Sequence, residues 1–202
     1  MSDGNEASIL CPDDTIGSII RQLQIDDAGG LATIASMQIS YPLDPRLHFL
    51  KGSVLAGLQR YDEGRSAMAR AIEIAPDYAL ARFQLGFLDL TSGRAVDAIG
   101  VWQPLFNLPE DEPLRIFAEG LTNLAGDNFA EARRLLTKGI ELNVENPLIS
   151  ADMQLILDEI KDGTPAHSTE PVAVPGQSAP SSAAHMLLQQ YELKDSVNAK
   201  KH

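Results

Sequence analysis

Residues 83–90 read "FQLGFLDL", and the outline of that stretch returns at 49–56 as "FLKGSVLA" and at 117–124 as "FAEGLTNL". Phenylalanine and glycine three apart thus recur twice at an unchanged interval, the step from Gly52 to Gly86 equalling that from Gly86 to Gly120. Internal repetition is therefore the first property of the chain to test. Aligning on these glycines brings further columns into register without a gap. Glu63, Asp97 and Glu131 are acidic; Gly64, Ala98 and Ala132 are small; Met68, Trp102 and Leu136 are bulky and apolar, as are Ile72, Phe106 and Ile140. Columns of fixed size and polarity are what repeated packing environments require.

Within each copy the apolar spacing is helical. Leu80, Phe83, Phe87 and Leu90 fall at i, i+3, i+7 and i+10, one stripe of a helix. Gly93 in "TSGR" suits a helix C-terminus, a second helical run follows from Ala95 to Trp102, and Pro109 stops it. Pro104 predicts a kink in this second helix near Gly100. Each copy is therefore helix, short turn, helix, over 45–78, 79–112 and 113–146.

Leu85-Gly86, Ala98, Trp102 and Pro109 in the middle copy, Gly52, Leu55, Ala71 and Pro76 in the first, and Gly120, "FAEA" at 129–132 and Leu136 in the third resemble the tetratricopeptide repeat (TPR) family. The departures are Lys51 and Gly64 in the first copy, Pro109 one position early in the middle copy and a proline delayed to Pro147 in the third. The resemblance implies an all-α, right-handed superhelical solenoid of about three repeats with capping helices. Residues 14–44 read as a degenerate helix pair ("DTIGSIIRQLQ" at 14–24, "GGLATIASMQIS" at 29–40). After Pro147, a final helix carries Ile149, Met153, Ile156, Leu157 and Ile160 on one side and Asp152, Gln154, Asp158 and Glu159 on a polar outer side, so that 45–161 holds three repeats and a cap. Residues 1–13 read as a flexible leader.

Composition excludes several classes. The formal charge is −12, with 24 acids against 13 bases in residues 1–161; a surface of that sign repels phosphate backbones and anionic membranes, so neither nucleic acid nor membrane insertion is expected. The start "MSDGNEASILCPDD" has no basic and apolar signal segment, and a cytoplasmic location is expected. Cys11, the single cysteine, reads as a spare thiol in the leader. His48, His167, His185 and His202 lack partners at metal-ligand spacing, and no phosphate loop or nucleophile motif occurs. No catalytic residue, metal or cofactor is assigned, and the chain reads as non-enzymatic.

The TPR resemblance implies that the first helices of successive repeats line a concave groove. Carried over, the lining comprises Arg46, Phe49 and Ser53; Leu80, Phe83, Phe87 and Leu90; and Leu114, Phe117, Leu121 and Leu124. It is almost wholly apolar and lacks the lysines and asparagines with which some family members clamp a peptide carboxylate. The alternative is that the phenylalanines pack between helices inside the solenoid. An open groove of this width would exceed the few hundred Å² that soluble monomers expose, so an adaptor or scaffold binding an apolar peptide or amphipathic helix is expected. A dedicated chaperone is the alternative: the chain is also similar to the small acidic type III secretion translocator chaperones, which hold a hydrophobic client.

Beyond Lys161 the composition changes. Residues 162–182 hold four prolines and almost no bulky apolar side chain, the signature of a disordered linker. At 183–202 the chain turns apolar again: Ala184, Leu187, Leu188 and Tyr191 at i, i+3, i+4 and i+7 form the stripe of a short docking helix, for a partner or for the chain's own groove.

Overall fold

Three residues in equivalent positions of the repeat, Gln59, Gly93 and Asp127, adopt positive φ angles of 62°, 78° and 58°. Each ends a helix in the same way. The amides of Gln59, Gly93 and Asp127 donate to the carbonyls of Ala56, Leu90 and Leu124, and those of Arg60, Arg94 and Asn128 reach back to Leu55, Asp89 and Asn123 at 2.8–2.9 Å. This closure satisfies carbonyls that a helix end leaves open and turns the chain directly into the next helix. The sequence repeat is thus a repeat of backbone geometry.

The computed structural model describes residues 10–161; the expectations for residues 1–9, for the linker at 162–182 and for the tail at 183–202 lie outside the described residues. Among those described, nine α-helices follow one another: α1 (Asp13–Leu23), α2 (Asp27–Ser40), α3 (Pro45–Gly57), α4 (Tyr61–Ile74), α5 (Ala79–Thr91), α6 (Ala95–Trp102), α7 (Pro113–Ala125), α8 (Phe129–Leu142) and α9 (Pro147–Lys161). The described residues are all-α, as expected. Asp26 starts α2 by accepting from the Ala28 amide at 3.1 Å, slightly ahead of the expected start at Gly29, and Asp44 caps α3 ahead of Pro45 at the first helical position.

The Pro104 expectation takes a different form. Rather than bending, α6 stops at Trp102 and passes into a 3-10 turn over Gln103–Asn107. Pro104 has no amide to continue the α-helical ladder, and the tighter turn absorbs that loss.

Packing follows chain order. Pairs α1/α2, α2/α3, α3/α4, α4/α5, α5/α6, α7/α8 and α8/α9 all pack, and α5 also meets α7, the first helix of the next repeat. Such neighbour-only packing is quasi-one-dimensional. What lets the two helices of a repeat close is the glycine column. A Cβ on Gly52 would stand 2.6 Å from Met68 Cγ and 2.9 Å from the Gly64 carbonyl, one on Gly120 would stand 2.8 Å from Leu136 Cδ2, and one on Gly86 would fall on the Trp102 indole. Met68, Trp102 and Leu136, one column of the repeat, each lie over the glycine of their own copy. Most of the buried apolar side chains, from Cys11 to Leu157, then form one continuous core.

The left-handed turns make a direct prediction. Gln59 holds the conformation at a cost that glycine would not carry, so Gln59→Gly should raise stability by up to about 1 kcal/mol, whereas Gly93→Ala should lower it by about 1–2 kcal/mol. Chemical denaturation of the two variants reads both signs.

Candidate protein-interaction face

The expected lining splits into two groups. Phe49, Phe83 and Phe117 are 0%, 1% and 0% exposed, so the expectation that they stand open in a groove is corrected: they are core. Phe83 shows why. Its ring lies 6.2 Å, centroid to centroid, from Phe117 on the first helix of the next repeat, and equally far from Trp102 and Phe87. Phe49 lies 5.4 Å from Tyr78, and Phe117 covers the bare Cα of Gly139 in α8. These rings fill the space where repeats meet, and the packing alternative describes them.

Leu80, Leu114 and Leu121 are also buried. So is Ser53, whose hydroxyl donates to the Phe49 carbonyl at 2.9 Å. Arg46 serves the fold. Its guanidinium reaches Asp13 at 2.6 Å, Asp44 at 2.7 Å and the Cys11 carbonyl. Asp44, fully buried, accepts from the Arg46 and Cys11 amides as well, so all its oxygens are engaged and the charge is compensated. Residues 11–13, expected in a flexible leader, are thereby held on α3.

What remains accessible is Phe87, Leu90 and Leu124, each half-buried. Sequence reasoning missed one companion. Leu155, in α9, stands one full repeat interval beyond Leu121 and is 37% exposed; the same interval that identified the repeats would have found it. The accessible apolar residues are therefore Phe87 and Leu90 on α5, Leu124 on α7 and Leu155 on α9, hereafter the strip.

The buried and part-buried polar groups have structural duties. Asp89, 0% exposed, occupies the column of Leu55, Asn123 and Leu157. Its Oδ1 accepts from Arg65 Nε at 2.7 Å and Arg94 Nε at 2.9 Å, while Oδ2 and Arg94 Nη2 are buried with no partner among the described residues. The two guanidiniums compensate the carboxylate and tie α4 and the α5–α6 turn to α5. His48 uses both ring nitrogens: Nε2 donates to the Pro42 carbonyl and Nδ1 accepts from Gln38, both at 3.0 Å. Burial, with Asp44 nearby, pushes the Cys11 thiol pKa up and keeps it a poor nucleophile. Among the described residues no group of three or more His, Cys, Asp or Glu could hold a metal, and no helix is long and apolar enough to cross a membrane. A cleft of about 230 Å³ between α8 and α9 is lined by Arg133, Thr137, Ile140, Glu141, Gln154 and Leu157.

Asp152 differs from the solvated residue expected on the outer side of α9. It stands in the column of Leu50 and Ala118, both fully buried, and of the half-buried Gln84, and is itself half-buried; that burial raises its pKa to about 6. Between the ordinary carboxylate value of about 4 and about 6 the folded state holds more proton than the unfolded state, so this residue's contribution to stability falls as pH rises through that window. Asp152→Asn should leave stability unchanged at pH 4 and raise it at pH 7.5 by about 1 kcal/mol, allowing for solvent screening. The split in the lining yields a second expectation. Phe83→Glu, which buries an unpaired charge and removes a packed ring, should lose several kcal/mol or unfold, whereas Phe87→Glu should keep a cooperative melt.

No family model matches the chain, nor does any curated protein. Among solved structures the fold is similar to MamA 41-end from Desulfovibrio magneticus RS-1, at 13% identity and a TM-score of 0.54 over 91% of this chain and 97% of that one. The MamA RS-1 ArsTM double mutant matches with the same figures. At this identity the likeness is one of fold, the TPR-like all-helical arrangement.

Proposed function

We propose that the protein is a non-enzymatic adaptor or scaffold that binds an apolar peptide, or the apolar side of an amphipathic helix, from a partner protein. The observation that supports this most is the strip of Phe87, Leu90, Leu124 and Leu155, in which apolar side chains keep partial exposure on α5, α7 and α9 in turn. Recognition of this kind sets apolar anchors at helical spacing into a concave apolar surface. The net charge of −11 over residues 1–161 favours partners with basic flanks and makes association weaken with salt.

Affinity capture from the native organism tests the proposal, with the full chain and a Phe87→Glu/Leu124→Glu variant of matched thermal stability. The wild type should retain partners that the variant loses by at least about tenfold, the equivalent of about 1.4 kcal/mol. Equal recovery on both would contradict the proposal. A single membrane-active client in the captured fraction would replace the adaptor reading with that of a chaperone.

A further inference from the structure

We infer that the resident occupant of the strip is the chain's own segment 184–191, which any partner must displace. The inference rests on the interaction reading of that strip, and four observations support it. The first is length. Helix α9 ends at Lys161, and the stretch from there to Ala184 reaches about 26 Å as a flexible coil, enough to return across α9 to α7 and α5, since packed helices lie about 8–10 Å apart.

The second is pattern. Ala184, Leu187, Leu188 and Tyr191 make one apolar stripe about two turns long, which matches a strip that presents one or two apolar residues per helix. A helix so short is marginal in water unless it docks. The third is area. Leu187, Leu188 and Tyr191 together bury on the order of a few hundred Å², far below the ~1,200 Å² of a stable interface between separate proteins. So small a contact suits a tethered segment, whose effective concentration is about millimolar, rather than a free ligand.

The fourth is charge. Residues 183–202 carry Lys194, Lys200 and Lys201 against Glu192 and Asp195, a balance of +1, opposite in sign to the −11 of residues 1–161. Glu159, exposed on α9 one helical turn from Leu155, offers a carboxylate those lysines would approach. Docked in this way, the segment covers the apolar strip until a partner with more surface replaces it.

Paramagnetic broadening on the full-length chain tests the inference without any partner present, so its outcome is independent of the affinity capture. A nitroxide is placed through Gln189→Cys, with the buried Cys11 left unmodified under native conditions. The amide signals of Phe87, Leu90, Leu124 and Leu155 should be attenuated several-fold more than those of α1 and α2. The difference should vanish in the Leu187→Glu/Leu188→Glu background, whose changes lie outside the folded repeats. Even attenuation over the surface, attenuation centred elsewhere, or persistence in the double variant would overturn the inference. So would attenuation transferred to a labelled chain from a separately tagged one, which would make the occupant a second copy.

Discussion

The close approach of the two helices within each repeat is the constraint on which the remaining structure depends. Gly52, Gly86 and Gly120 leave no Cβ, and Met68, Trp102 and Leu136 occupy the space that a Cβ would need. With the helices that close, the Trp102 indole can donate to the Phe83 carbonyl at 3.1 Å while its ring stacks beside Phe83. The phenylalanine is then held against Phe87 and Trp102 of its own repeat and Phe117 of the next. Enlarging either column opens the repeat, because a close-packed core has no slack to absorb a methylene.

Where the repeat pattern breaks, charge takes over from packing. Asp89 stands where the first copy has Leu55, and two arginines from different elements converge on it. Asp44 plays the same part at the N-terminal end, joining Cys11, Asp13 and α3 through Arg46. Replacing one partner of such a buried group leaves an uncompensated charge, so these residues hold the geometry of the stack even where the pair adds little net stability.

Much of this fold was legible in the sequence because its period is strict. The constant interval from Gly52 to Gly86 to Gly120 identified the copies, the glycines marked the close contacts, and helical spacing gave the elements. Three features were hidden for physical reasons. The left-handed turn residue is glycine in one copy only, with Gln59 and Asp127 in the others, so a composition signal at Gly93 did not extend to its equivalents. The phenylalanines were hidden because their exposure depends on how closely successive first helices lie, as in the Phe83–Phe117 contact, and helical spacing within one helix carries no information about the next. Arg46 likewise looked like part of a lining because its partners Cys11 and Asp13 lie 35 and 33 residues earlier in the sequence, before α1 and at its first residue. Leu155 was within reach of the same arithmetic that placed Phe87 and Leu121.

The division of the aromatic residues into core and surface decides whether the interaction face is the narrow strip described above. Fluorophenylalanine incorporated at all six phenylalanines, observed by fluorine NMR with a soluble gadolinium chelate, measures that division directly. The account predicts that Phe49, Phe83 and Phe117 resist broadening while the half-buried Phe106 and Phe129 broaden readily. Broadening of Phe83 or Phe117 as strong as that of Phe129 would contradict it, and would return the phenylalanine column to the open groove.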